Sequence, residues 1–163
     1  MKYNYSSNSG DYLTPDTFVR SILKEIGREQ FDCDVCCSQR NIPAVACYTK
    51  DGYFINGIKF GEKDGLTGEW SPLNWLNPPF SECQKWIKKA VEEQKKGNTT
   101  VALLPVRTET DYWHKYILNK DNVDINYLRK GLRFFSPDGK EMGIFKNALA
   151  VVVFSGVKNG ENK

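Results

Sequence analysis

The sequence predicts one α/β domain, on three observations. Short apolar runs at Phe31–Val35, Leu73–Leu76 and Thr99–Leu104 have the length of buried strands. Amphipathic helical stretches stand before and between them, beginning near Pro15 and Ser81. The chain is 163 residues long, enough to bury a single core, with no internal repeat and no low-complexity tract.

Residues 1–10, rich in Tyr, Asn, Ser and Gly, read as a flexible arm, 11–156 as the domain and 157–163 as a flexible tail. Thr14 is a good helix N-cap and Pro15 a good first-turn residue. Phe18, Ile22, Leu23 and Ile26 then share one helical face, and Gly27 falls near its end. Phe31 to Val35 is a strand with acids at Asp32 and Asp34. Residues 38–72 are the least regular stretch. There Asp51-Gly52 and Asn56-Gly57 signal type I′ turns, so one or two small hairpins are expected rather than another strand–helix unit. Ser81-x-x-Gln84 has the form of a capping box. Cys83, Trp86, Ile87, Ala90 and Val91 follow at helical spacing, with Gly97 as the stop. Thr99–Leu104 suits a buried parallel strand ended by Pro105, and a helix is expected over about Thr110 to Leu118. Leu132–Phe135 and Ala148–Phe154 are two further strands, joined by the Ser136-Pro137-Asp138-Gly139 turn and a polar loop.

No apolar run reaches the roughly 18 residues that span a membrane, and no amino-terminal signal pattern is present, so a soluble intracellular protein is expected. The net charge is only +3, but it is uneven: residues 1–80 carry 8 Lys/Arg against 10 Asp/Glu, and residues 81–163 carry 15 against 10. That asymmetry fits a nucleic-acid face in the second half and fits a solvated surface nearly as well. The five cysteines are Cys33, Cys36, Cys37, Cys47 and Cys83. One Cys knuckle without a second argues against zinc, so no metal is expected and the thiols are read as reduced. His114, the single histidine, reads as a surface or packing residue.

Asn77-Pro78-Pro79-Phe80 is the most informative segment. Two prolines remove ladder donors and fix φ near about −65°, which stiffens the backbone at the carboxyl end of a strand. In open α/β sheets that edge binds ligands. One reading is an ordinary strand-to-helix turn. The other is a pocket that grips a planar amine, with the Asn77 side-chain oxygen and the Pro78 carbonyl as acceptors and Phe80 as stacking surface. The flanking Asn and aromatic favour the pocket.

The tetrapeptide resembles the Asn/Asp-Pro-Pro-Tyr/Phe motif of amino-group methyltransferases that use S-adenosylmethionine. Further pieces occur in the order seen in small phage-type DNA adenine-N6 methyltransferases: Asp11-Tyr12-Leu13-Thr14-Pro15, Phe31 to Ser38, Asp64-Gly65-Leu66 with Trp70, Leu103 to Thr108, and Gly131 to Phe134. The resemblance runs from about Asp11 to Phe154. It implies a single-domain Rossmann-like methyltransferase sheet flanked by helices and ending in an antiparallel hairpin. It also implies methyl transfer from S-adenosyl-L-methionine to N6 of an adenine flipped out of double-stranded DNA.

By the same resemblance Asn77, Pro78, Pro79 and Phe80 are catalytic, and Tyr12, Thr14, Pro15, Asp34 and Asp64 bind the cofactor. Asp34 would accept from its ammonium and Asp64 from its adenine amino group. The glycines of a full first motif are replaced by Cys36-Cys37-Ser38-Gln39, which leaves the ribose partner unassigned and Asp32 either structural or binding. Arg107 and Arg133 are either phosphate contacts or ordinary surface arginines. No separate target-recognition domain is visible, so readout would fall to loops such as Lys50–Lys63 and Pro137–Asn147. No obligate protein partner is inferred. An RNA-adenine or amide methyltransferase, and a non-catalytic nucleic-acid-binding relic of the fold, remain the alternatives.

Overall fold

The computed structural model describes residues 12–157. The arm expected at 1–10, and the tail beyond Val157, lie outside the described residues. In chain order the elements are α1 (Asp16–Glu25), β1 (Phe31–Asp34), β2 (Ala44–Thr49), β3 (Gly52–Ile55), β4 (Ile58–Gly61) and β5 (Leu73–Leu76). A 3-10 turn (Phe80–Glu82) leads into α2 (Cys83–Lys95), then β6 (Thr99–Pro105), α3 (Asp111–Tyr116), β7 (Val123–Tyr127), β8 (Arg133–Phe135), β9 (Glu141–Ile144) and β10 (Leu149–Phe154).

Eight strands form one mixed sheet in the order β4-β3-β2-β1-β5-β6-β10-β7, and β8 and β9 form a separate ribbon. The centre is parallel: β1 lies between β2 (Cys33 opposite Ala46) and β5 (Cys33 opposite Asn74), and β6 pairs with β5 from Leu73–Thr99 to Leu76–Ala102. Parallel strands place their carboxyl ends together, so Asp34, Thr49 and Leu76 finish at one edge. Both faces are covered, because alternate residues of the central strands enter different cores. Ala102, Leu104, Ala150 and Val152 pack with Trp86, Ile87 and Ala90 of α2 and Trp113 of α3. Val101, Leu103, Leu149 and Val151 pack with Val19 and Leu23 of α1 and with Phe134 of β8. Asn74, the polar break in β5, is fully buried yet satisfied: its amide bonds both main-chain groups of Ser71 and the Thr99 carbonyl.

Several local expectations need correction. The stretch 38–72 contains the two hairpin strands β3 and β4, but its first part is β2, a full parallel member of the sheet. Asn56 and Gly57 turn with φ of 48° and 85°, as a type I′ turn requires. The other turn is Lys50-Asp51, with Thr49 opposite Gly52, one residue earlier than expected. Thr14 does not cap α1; Pro15 holds the N-cap place without a side-chain bond, because the Thr14 hydroxyl is engaged elsewhere. The Ser81–Gln84 box does not form either. Pro79 enters from extended backbone (φ −53°, ψ 125°) and its carbonyl takes the Glu82 N–H at 2.8 Å, so Ser81 is already inside the turn. Leu132–Phe135 and Ala148–Phe154 are not partners: β10 pairs antiparallel with β6 and β7, while β8 pairs with β9. The sheet still ends in an antiparallel pair, supplied by Val123–Tyr127.

Candidate functional site

The carboxyl edge opens into a cleft of about 670 Å³. Tyr12, Thr14, Asp34, Asp64, Asn77 and Pro79 line it together, although they come from four separate parts of the chain. Pro15, Pro78, Phe80, Arg107 and Arg133 are not in its wall.

Asn77 follows β5, and its side chain is held from one side. Nδ2 donates to the Thr14 hydroxyl at 3.0 Å and to the Tyr12 carbonyl at 3.3 Å. An amide held by its donors presents its oxygen as the remaining group. The segment that holds it is itself fixed: Leu13 and Phe135 exchange backbone bonds of 2.8 and 2.9 Å, and Asn41 Nδ2 donates to the Thr14 carbonyl. The two proline carbonyls differ. That of Pro79 accepts from Glu82 N–H, whereas no described backbone donor reaches that of Pro78. Phe80 is half-buried and braced edge-on by Phe145 at 5.1 Å and Phe134 at 6.2 Å between ring centres.

Asp34 closes β1 and is 5% exposed. Burial pushes its carboxyl up to about 7, partly opposed by hydrogen bonds from Cys36 N–H and the Cys37 side chain. No described lysine or arginine pairs with it, so the cleft carries a buried carboxylate without a cation. Asp64 secures a tight turn, accepting through Oδ1 from Leu66 N–H, Thr67 N–H and the Thr67 hydroxyl. The turn lies directly on the end of β1: a Cβ on Gly65 would stand 1.8 Å from the Val35 carbonyl oxygen, so only glycine fits.

Asp32 is structural, with one oxygen on Arg28 at 2.7 Å and the other accepting from Leu73 N–H at 2.9 Å. Arg107 and Arg133 are exposed, each ion-paired with a nearby glutamate, Glu109 and Glu141. His114 bonds the Thr108 carbonyl at 2.7 Å. No disulfide joins the cysteines, all but Cys36 are buried, and among the described residues no group of three or more His, Cys, Asp or Glu is arranged to hold a metal. No described helix is long and apolar enough to cross a membrane.

Sequence reasoning missed several residues of the cleft. Thr49, Lys50 and Asp51 enter it from the end of β2, and Trp86 from α2. Trp86 sits at helical spacing with core residues, yet its buried Nε1 has no hydrogen-bond partner among the described residues. The signal for Asp51 was its place after an apolar run that had not been read as a parallel strand.

A family model described as DNA N-6-adenine-methyltransferase (Dam) matches residues 4–159. A protein of Escherichia phage T1 named DNA N-6-adenine-methyltransferase is 25% identical over 167 residues, covering 92% of this chain. The chain spans 64% of the length of that relative. A solved structure from Methanobacterium thermoautotrophicum, titled precorrin 8W decarboxylase, superposes with a TM-score of 0.50 at 16% identity, over 88% of this chain and 91% of its own. At that identity the likeness speaks for the fold alone.

Proposed function

The chain belongs to the DNA N-6-adenine-methyltransferase (Dam) family, and on that premise we propose that it transfers a methyl group from S-adenosylmethionine to N6 of adenine in double-stranded DNA. The observation that carries the reading is the Asn77 amide, held by its donor end to Thr14 and Tyr12 with its oxygen left to accept. An adenine amine is a weak nucleophile because its lone pair is delocalised into the ring. Two acceptors on its hydrogens, Asn77 Oδ1 and the Pro78 carbonyl, favour the geometry that frees that lone pair and aim it. They also stabilise the positive charge that develops on nitrogen. Phe80, braced by two phenylalanines, is the stacking surface for the extruded base and offsets part of an unstacking cost of about a few kcal/mol.

The cleft fits the cofactor. Its volume of about 670 Å³ suits a ligand of that size. It holds a buried carboxylate without a cation among the described residues. Bound there, S-adenosylmethionine supplies an electrophilic methyl group on a sulfonium. Asp34 would accept from its ammonium, beside Tyr12 and Thr14. Asp64 offers its second carboxylate oxygen to the adenine amino group. Asp51, at the end of β2, takes the ribose hydroxyls. Asn77 Oδ1 and the Pro78 carbonyl would hold the amine in line while the new N–C bond forms and the S–C bond breaks, with a neutral thioether as the leaving group. The amine then gives its extra proton to solvent. Arg107 and Arg133 contact phosphates, which positions the duplex without specifying sequence.

Nucleoside mass spectrometry tests this after incubation with methyl-labelled cofactor and DNA, RNA or protein. Labelled N6-methyldeoxyadenosine from duplex DNA is expected. Label only in RNA or protein, or no transfer at all, overturns it.

A further inference from the structure

The connection from β7 to β10 is far longer than its geometry requires. β7 ends with Tyr127 opposite Ala150, and β10 begins with Leu149 opposite Pro105. Neighbouring antiparallel strands need a loop of only about 2–5 residues. Residues 128–148 instead leave and re-enter at the carboxyl edge, the edge that carries Asn77 and Asp34. They fold into the β8–β9 ribbon, with Arg133 opposite Ile144 and Phe135 opposite Glu141.

The root of this ribbon sits on the candidate catalytic motif. Phe135 is bridged to Leu13, and the rings of Phe134 and Phe145 meet Phe80. Its tip is a tight turn, closed by Gly139 N–H on the Ser136 carbonyl at 2.8 Å, with Pro137 to Lys140 exposed. The excursion carries five Lys/Arg against two Asp/Glu. Both acids are taken up inside the ribbon, Glu141 by Arg133 and Asp138 by Lys140. Arg129 and Lys130, exposed at the root, have no acidic partner among the described residues.

We propose that the β8–β9 ribbon is the element that docks on duplex DNA beside the target adenine, with Arg129 and Lys130 on backbone phosphates and the Ser136–Lys140 tip in the major groove. The proposal rests on the DNA-adenine reading above. The major groove of B-form DNA admits a two-stranded ribbon, whereas that of an A-form RNA duplex is too deep and narrow for side chains to read. The packing of Phe134 and Phe145 on Phe80 ties the docked ribbon to the place where the base must arrive. Docking and base capture then become one event.

The test uses the full chain, an Arg129→Gln/Lys130→Gln variant, and a variant with residues 137–140 replaced by a two-residue Asn-Gly turn. Melting and cofactor binding serve as checks that both variants fold. Duplex affinity is measured across salt concentrations, and methylated positions are mapped by sequencing. The double variant is expected to lower the log–log salt slope by about two, close to one per lost phosphate contact. Its loss should fall on KM rather than kcat. The tip variant is expected to alter the sequence preference around the methylated adenine. Parental slope in the first and parental site choice in the second overturn the proposal. A parent that binds duplex without methylating it defeats the chemical reading while the slope comparison still decides this one. A parent that binds no duplex defeats both.

Discussion

Asn77 Nδ2 donates to Thr14 Oγ1 at 3.0 Å, across 63 residues of sequence. Thr14 is 3% exposed, so this bond is sheltered from water. Its consequence is orientation. A primary amide turned by half a revolution would point N–H groups at a substrate amine and repel it. The second tether, to the Tyr12 carbonyl, is longer at 3.3 Å and weaker alone.

Thr14→Val therefore keeps the shape and removes the acceptor. We expect kcat to fall about fivefold, the value of one net hydrogen bond of about 1 kcal/mol. Thr14→Ser should stay close to the parent. Steady-state kinetics at saturating cofactor separates orientation from cofactor binding. Parental kcat in Thr14→Val would show that the amide needs no such restraint.

Asn77→Ala should lower the methylation rate by at least about a hundredfold, the scale for losing one oriented polar group in a catalytic site. Cofactor binding should be nearly intact. If this variant methylates adenine at the parental rate, the assignment of the site is wrong.

On the proposed reading Phe80 acts on the base rather than on the reacting nitrogen. Phe80→Ala should weaken capture of the extruded base by about 1–3 kcal/mol, the range for a lost stacking partner. It also removes the ring that Phe134 and Phe145 pack against, so a lowered melting temperature is expected as well. Phe80→Tyr keeps the π-face and should keep most activity. A duplex with 2-aminopurine at the target position reports flipping as a rise in fluorescence. An equal rise with Phe80→Ala would remove the ring from this role.

How far the fold was legible in the sequence depended on where each strand lies. β1, β5 and β6 were readable because burial on both faces makes them short continuous apolar runs. Val123–Tyr127 is an edge strand, with Val123 and Ile125 alternating against exposed polar residues. That period-two pattern was present, but too short to outweigh the polar residues around it. Ala44–Thr49 was hidden by the turn signals that follow it. At the site, Asn77 and Asp34 were legible because each sits directly after or at the end of a recognisable strand. The Thr14–Asn77 bond was not. The same threonine is a plausible helix cap by local rules, and only the fold shows that a distant amide claims its hydroxyl.

Arg107 and Arg133 each start from a pairing with a glutamate, so their use on phosphate requires exchange of partners. Exposed pairs of this kind are worth about 0–1 kcal/mol, little enough for a phosphate to displace. Arg107→Gln and Arg133→Gln should each flatten the salt dependence of duplex binding without changing sequence preference. Slopes equal to the parent's for both would return them to the ordinary surface.

The Asp34 carboxyl, raised by burial from 3.8 to about 7, makes two pH effects separable. In the cofactor-free protein the unfolded chain ionises this group from about pH 4 upward, while the folded chain keeps its proton to about 7. Its contribution to stability therefore falls as pH rises through that window and levels off above it. Asp34→Asn should lose that part of the slope in denaturation curves, and should be more stable than the parent above pH 7. Cofactor binding runs the other way. If Asp34 takes the cofactor ammonium as proposed, that ammonium needs the carboxylate, so binding below about pH 7 must first expel a proton. Affinity should weaken about tenfold at pH 6 relative to its alkaline plateau, one pH unit being a factor of ten below the pKa. Calorimetry in two buffers of different ionisation enthalpy should detect the released proton. Asp34→Asn should bind more than about tenfold more weakly on the plateau, as for loss of a charged hydrogen bond, and show no such proton release. A cofactor affinity that changes with pH identically in both proteins would remove Asp34 from the binding site.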